Sequence, residues 1–309
     1  MLKILLITIF SIFISLNSLA DKRFEIDLKK LSKLNSFVNN KGNHYKLDQN
    51  IDKEKTIILI YTHGSWGNDR RLDGCNKIWF QIPPLIYQLD GSKLKDFTIK
   101  TYQLCSGARG WTQKEEDLFW EIYDKNNQDV SKVLKLKDKN GVLLINKWGS
   151  SIKRKIMKMK IDEFKEMGFR NIVLSGHSAG GWESLILKSN FSKEIDGVIA
   201  LHPARSGKFA KKKKPHIGWI NWRNYKISLI DLEKLNNVLV YSHDKDSYEN
   251  TKTLNFLSNS KNVKLINVSD TSCKAKVKFG KYHGITLTKC FAKNDTRSKE
   301  IIKYLGEIY

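Results

Sequence analysis

Asn171-Ile172-Val173-Leu174-Ser175-Gly176-His177-Ser178-Ala179-Gly180-Gly181-Trp182 runs from an apolar β-strand straight into Gly-x-Ser-x-Gly and then a helix. That order is what a sharp strand-to-helix turn needs if it is to hold one serine strained and exposed. Gly176 and Gly180 flank Ser178 because a Cβ at either position would meet the neighbouring strand or helix in so tight a turn. The helix N-terminus adds free N–H groups and a dipole that favours negative charge beside the serine. Gly-x-Ser-x-Gly is a weak signal by itself. Its place between Ile172-Val173-Leu174 and Trp182-Glu183-Ser184-Leu185-Ile186-Leu187 gives it meaning.

Working outward, further strands and helices alternate. Thr56-Ile57-Ile58-Leu59-Ile60-Tyr61 is a continuous apolar run, the mark of a strand buried on both faces of a parallel sheet. Strands are also expected at Phe97–Leu104, Gly197–Leu201, Val238–Tyr241 and Val263–Val268. Helical periodicity lies between them at Ile82–Leu89, at Ile152–Met167 and at 296–308. In Ile152–Met167, the residues Ile152, Ile156, Met159, Phe164 and Met167 are expected on one face with lysines opposite. The alternation predicts right-handed crossovers and a mostly parallel, doubly wound α/β sheet. Residues 112–148 and 206–235 break the alternation and are expected as insertions over the carboxyl edge of the sheet, where ligands bind in such folds.

The start of the chain has a separate reading. Met1-Leu2-Lys3, an apolar run from Ile4 to Leu16 and Ser18-Leu19-Ala20 before Asp21 predict a signal peptide over 1–20, cleaved after Ala20. The expected product is exported, periplasmic or secreted, with no stable membrane anchor. Residues 21–50 are expected as an arm or short helix, and 51–309 as one catalytic domain. Four cysteines in an exported chain suit disulfides. Proximity in sequence favours Cys75 with Cys105 and Cys273 with Cys290.

The net charge is +23. The excess is spread along the chain as Lys, the pattern an AT-rich coding bias gives. No zinc-finger spacing, RNA-binding aromatic signature or basic helix-turn-helix accompanies it, so no nucleic-acid partner is expected. Positive charge still favours anionic ligands, and Lys211-Lys212-Lys213-Lys214 is its local maximum.

A serine hydroxyl needs an adjacent base, itself oriented by a third group. Of seven histidines, only His283, in Gly280-Lys281-Tyr282-His283-Gly284, stands in a loop after the last expected strand. The strand Val238–Tyr241 leads into Ser242-His243-Asp244-Lys245-Asp246, and both aspartates leave it at the edge that carries Ser178. With these residues the chain resembles the α/β-hydrolase superfamily, whose chain order is nucleophile, acid, histidine. Ser178, Asp246 and His283 follow that order. The family's Gly-x-x-Asp turn is matched by His243-Asp244-Lys245-Asp246, with His in place of Gly; this points to Asp246 and leaves Asp244 as the competing acid. The family's His-Gly turn is matched by Thr62-His63-Gly64-Ser65-Trp66-Gly67, which implies the backbone N–H groups of Ser65 and Ala179 as the oxyanion hole. His63, Trp66, His177 and His202 are candidates for lining the site.

The resemblance implies a serine hydrolase acting on a carboxylic ester of a small-molecule or acyl substrate, anionic ones included. A serine peptidase on the same residues is the alternative. A non-catalytic binder of an anionic surface polymer is the second. No cofactor is implied. No metal is expected either, because neither His-x-x-x-His nor His-Glu-x-x-His occurs.

Overall fold

The structure is a computed structural model describing residues 35–65, 81–106, 110–205, 217–260, 262–273, 282–293 and 295–309. The strands are β1 (Ser36–Val38), β2 (His44–Tyr45), β3 (Thr56–Thr62), β4 (Lys93–Leu94), β5 (Phe97–Leu104), β6 (Asn171–His177), β7 (Gly197–Leu201), β8 (Val238–Ser242) and β9 (Val263–Asn267). They form one sheet in the order β2-β1-β5-β3-β6-β7-β8-β9, with β4 pairing β5 off this path. From β5 to β9 every neighbouring pair is parallel. The mostly parallel, doubly wound α/β sheet read from the sequence is the sheet observed.

The helices are α1 (Pro84–Tyr87), α2 (Gln113–Lys125), α3 (Val130–Val133), α4 (Gly149–Glu166), α5 (Ala179–Asn190), α6 (Ile217–Ser228), α7 (Lys289–Ala292) and α8 (Asp295–Gly306). Burial of both sheet faces follows from alternation within the apolar runs. Ile58, Ile60, Ile172, Leu174, Val198 and Val240 pack with α4 and α5 on one face. Ile57, Leu59, Tyr61, Val173, Ile199 and Leu239 pack with α1, α7 and α8 on the other. Among the described residues no helix is long and apolar enough to cross a membrane.

Three expectations need correction. Where an arm or short helix was expected within 21–50, Ser36–Val38 and His44–Tyr45 extend the sheet as antiparallel strands. The helix expected over Ile82–Leu89 is a single turn, started by Pro84 after Pro83. In α4 the buried face is Ile152, Lys153, Ile156, Met157, Ile161 and Phe164. Met159 and Met167 are exposed at 41% and 44%, while Lys153, assigned by the pattern to the solvent face, is 2% exposed. The stretch 112–148 holds α2 and α3, and its Phe119, Tyr123 and Leu144 form a separate core with the preceding Trp111 and with Trp222 of α6. Residues 206–216, 1–34 and 66–80 lie outside the described residues, and with them the signal peptide, Lys211–Lys214, Trp66 and Cys75.

The sheet positions a site by its order. The chain places β5 on one side of β3, then crosses to β6 on the other side and continues outward to β9. The carboxyl ends of β3 and β6 therefore flank the switch point, where crevices open in such sheets. Those ends are Thr62-His63-Gly64-Ser65 and His177-Ser178.

Candidate active site

Ser178 sits between β6 and α5 with φ 54° and ψ −120°. This is a sparsely populated conformation for a residue with a Cβ, and only firm surroundings hold it. The Ser178 N–H donates to the Leu201 carbonyl at 3.0 Å, and its own carbonyl accepts from Trp182 at 3.0 Å and Ala204 at 3.1 Å. The flanking glycines are obligatory. A Cβ on Gly176 would stand 2.4 Å from the Gly180 carbonyl carbon, and one on Gly180 would stand 2.2 Å from the Thr62 carbonyl oxygen. The turn after β3 thus lies directly against the serine, and a Cβ on Gly64 would come within 3.0 Å of Ser178 Cβ. Ala179 opens α5. As the first residue of a helix it has an N–H with no intrahelical acceptor.

Asp246 closes a turn after β8, its N–H bonding the His243 carbonyl at 3.0 Å. Its side chain is fully buried. Oδ1 accepts the Tyr248 N–H at 2.8 Å, and Oδ2 accepts from His283 Nδ1 at 2.7 Å and from His202 Nδ1 at 3.0 Å. Burial alone would raise the Asp246 pKa; the two imidazole hydrogen bonds and their charge outweigh it and hold the carboxyl well below the usual range. Asp244 points elsewhere. Its carboxylate accepts from Asn267 Nδ2 at 2.8 Å, and its N–H bonds Ser269 Oγ at 2.9 Å. The structure brings Asp246, and not Asp244, to His283.

With Nδ1 of His283 donating to Asp246, its Nε2 is left as a base. The His283 carbonyl accepts from Nε2 of His177, the residue before the serine, at 2.8 Å. The two rings lie 4.8 Å apart, and Tyr248 covers His283 at 4.4 Å. Burial, then the neighbouring His283 charge, hold the His177 pKa well below its usual value, so it stays neutral. Among the described residues Ser178 Oγ makes no hydrogen bond.

His63 is a wall residue. Nδ1 donates to the Gly64 carbonyl at 2.7 Å and Nε2 accepts the Ser106 N–H at 3.3 Å, which fixes one neutral tautomer; burial keeps its pKa down. Ser65 is exposed, and its hydroxyl accepts from Arg205 Nη1 at 3.1 Å.

His202 has a larger part than lining. It follows directly on β7 with φ 46° and shares Oδ2 of Asp246 with His283. Burial lowers its pKa against the pull of Asp246. Sequence reasoning had only its strand-end position to go on. Ligand atoms of His202, Asp246 and His283 lie within 4.8 Å of one another, close enough to ask about a metal. The two Nδ1–Oδ2 separations, 2.7 and 3.0 Å, are hydrogen-bond lengths. Tetrahedral ligands about 2.0–2.2 Å from zinc would stand roughly 3.3 Å apart. Two N–H donors on one shared carboxylate oxygen suit these distances better than a shared ion.

Cys273 and Cys290, which bracket His283 in sequence, are disulfide-bonded with Cα atoms 5.8 Å apart. Cys105 is also disulfide-bonded.

No family model matches the chain, and no curated protein matches it in sequence. Solved structures similar in fold include Est1E from Butyrivibrio proteoclasticus, at 12% identity and TM-score 0.46 over 88% of this chain and 93% of that one. A metagenome-derived lipolytic enzyme of the LipS and LipT study is similar at 12% and 0.45 over 87% and 96%. A Bacillus cereus carboxylesterase is similar at 14% and 0.41 over 83% and 91%. Likenesses this distant carry no weight for chemistry, which is decided by this chain's own side chains.

Proposed function

We propose that the protein is an exported serine hydrolase that cleaves carboxylic esters. The observation that carries this is the strained Ser178, whose neighbour His177 is bonded to the carbonyl of His283, itself seated on the buried carboxylate of Asp246. In the proposed reaction Ser178 Oγ attacks the ester carbonyl and its proton passes to His283 Nε2. Asp246 holds the imidazole by Nδ1 and stabilises the imidazolium. The Ala179 and Ser65 N–H groups meet the oxyanion. The alkoxide leaves with the proton from His283, and water then attacks the acyl-enzyme with His283 again as base. Export is supported by the basic and apolar start of the chain and by the Cys273–Cys290 bridge, since disulfides persist in oxidising compartments.

The test is fluorophosphonate labelling of the mature protein, together with hydrolysis of p-nitrophenyl butyrate. Ser178→Ala is expected to abolish labelling and lower turnover by about 10⁴-fold or more with the fold intact. Hydrolysis that survives this substitution would end the proposal. Cleavage of peptides but not esters would favour the peptidase on the same residues.

A further inference from the structure

A second buried group of charges lies beside the turn after β3. It draws on four separate elements: Lys153 and Arg154 from α4, Glu183 from α5, Arg205 just past β7, and Lys226 from α6. Lys153, Glu183 and Lys226 are 2%, 0% and 1% exposed, the Arg205 side chain is 7% exposed, and the Arg154 side chain, at 24%, reaches the surface. Four cationic side chains therefore face one carboxylate.

That carboxylate does not engage them closely. Glu183 Oε1 stands 3.7 Å from both Arg205 Nε and Lys226 Nζ, and Oε2 stands 3.6 Å from Arg154 Nε. Both Glu183 oxygens and Arg205 Nε are buried and make no hydrogen bond among the described residues. A guanidinium presents a rigid fork suited to a planar anion, and here the fork is not matched by its own protein partner. Two lysines stand nearby on neutral partners: Lys153 Nζ donates to Ser106 Oγ at 2.6 Å and Lys226 Nζ to Ser150 Oγ at 3.2 Å. Isolated charge is expensive to bury, and the group responds by losing protons. Burial, then repulsion from Arg205, brings Lys153 down to about 7 against the pull of Glu183. Burial outweighs Glu183 and brings Lys226 to about 7 as well.

The group is also next to the nucleophile. Arg205 Nη1 donates to the hydroxyl of Ser65, and the residue before Arg205 donates its N–H to the Ser178 carbonyl. Ser106, which receives Lys153, is 3.1 Å from Thr62 Oγ1 at the end of β3. Trp148 flanks the cations, 5.3 Å from the Arg205 guanidinium and 5.9 Å from Lys226 Nζ.

The geometry points to an anion subsite in which Arg205, backed by Lys153 and Lys226, receives a carboxylate or phosphate group carried by the substrate a few bonds from its scissile carbonyl. This deepens the serine-hydrolase reading and rests on it for the ester; the anion subsite is a property of the cations themselves. An arriving anion supplies the charge that Glu183 does not. It also favours protonated lysines, so binding takes up protons. The titratable groups that face one another here are Lys153, Arg154, Glu183, Arg205, Tyr225, Lys226 and, through Lys153, His63. Of these, the two lysines titrate near pH 7, and affinity for an anion should fall as pH rises through that region.

The experiment compares p-nitrophenyl butyrate with the mono-p-nitrophenyl ester of succinic acid, and tests succinate and inorganic phosphate as competitors against sodium chloride of equal ionic strength. The expected kcat/KM ratio favours the anionic ester by tenfold or more at pH 6.5. That ratio should fall at least tenfold in Arg205→Gln and in Lys226→Met, and should hold in Lys234→Gln, an exposed lysine. The stronger competitor of succinate and phosphate names the anion. A wild-type ratio of one or less, with competitors no better than chloride, overturns the subsite and leaves a structural network between α4, α5 and α6. If neither ester is cleaved, the hydrolase reading fails separately. Succinate should then still raise the wild-type melting temperature more at pH 6 than at pH 9; no rise overturns the subsite.

Discussion

Two buried groups of charges meet the carboxyl edge of this sheet, and they are balanced in opposite senses. At Asp246 one carboxylate oxygen is met by two imidazoles at 2.7 and 3.0 Å, and its partner oxygen takes a backbone N–H at 2.8 Å. At Glu183 one carboxylate faces four cations, none closer than 3.6 Å. Tight hydrogen bonds around a buried charge hold a geometry. Loose ion pairs around an excess of one sign leave a field that an outside charge can answer. The first arrangement suits positioning and the second suits binding.

The largest effect should separate the two aspartates after β8. Asp246→Asn is expected to lower kcat by about 10⁴-fold, because an amide in place of the carboxylate admits the wrong imidazole tautomer. Asp244→Asn, whose side chain bonds Asn267, should stay within severalfold. Steady-state kinetics on p-nitrophenyl butyrate decides it, and a reversed order would place the acid at Asp244.

The two groups should also titrate in separate windows. Asp246 has a folded pKa below its unfolded value, so its contribution is present above about pH 4 and lost as pH falls through the acid range. Lys153 and Lys226 have folded pKa values near 7 against an ordinary 10.5. Between those values the unfolded chain binds more protons than the folded one, so stability should rise with pH from 7 towards 10. Melting temperatures across that range should climb in the wild type and climb less in Lys226→Met. A flat profile would mean the cations are compensated.

How much of this was legible follows the same division. The candidate nucleophile and acid stand just past strand ends, where apolar runs of known period stop; Ser178 and the pair Asp244 and Asp246 could be placed from those runs, whereas the choice of Asp246 rests on the resemblance to the α/β-hydrolase turn and His283 on elimination among the histidines. Gly176 and Gly180 carried the turn because no side chain fits at either position. The cationic group could not be read in this way. Lys153 lies within a helix whose pattern assigns lysines to solvent, and Arg205, Glu183 and Lys226 come from three other elements. Only tertiary packing gathers them. Ser36–Val38 and His44–Tyr45 were missed for a related reason: edge strands this short have too few residues to show a period.

His202 tests the well-balanced group on a smaller scale. Removing one hydrogen bond to a buried charge is worth roughly 1.5–3 kcal/mol, so His202→Asn should lower kcat by about 10- to 100-fold with KM little changed. A loss as large as that of Ser178→Ala would make His202, not His283, the base.

The smallest expected effect concerns the segment that carries His283. The Cys273–Cys290 bridge spans 17 residues of sequence, and Cys273 is packed in the core beneath the sheet. Closing a loop of this size contributes on the order of 3 kcal/mol by chain entropy, which should lower the melting temperature on reduction without unfolding the domain. Its sharper consequence is positional. His283 is held to His177, the neighbour of Ser178, through its own carbonyl and to Asp246 through Nδ1, and both bonds depend on where this segment runs. Catalysis is sensitive to displacements of about 1 Å, so a segment tethered at one end only should misplace the base more often. Mild reduction, followed by alkylation to trap the thiols, is therefore expected to reduce kcat severalfold at temperatures where circular dichroism is unchanged. Activity and melting that fall together on reduction would assign the bridge to stability alone.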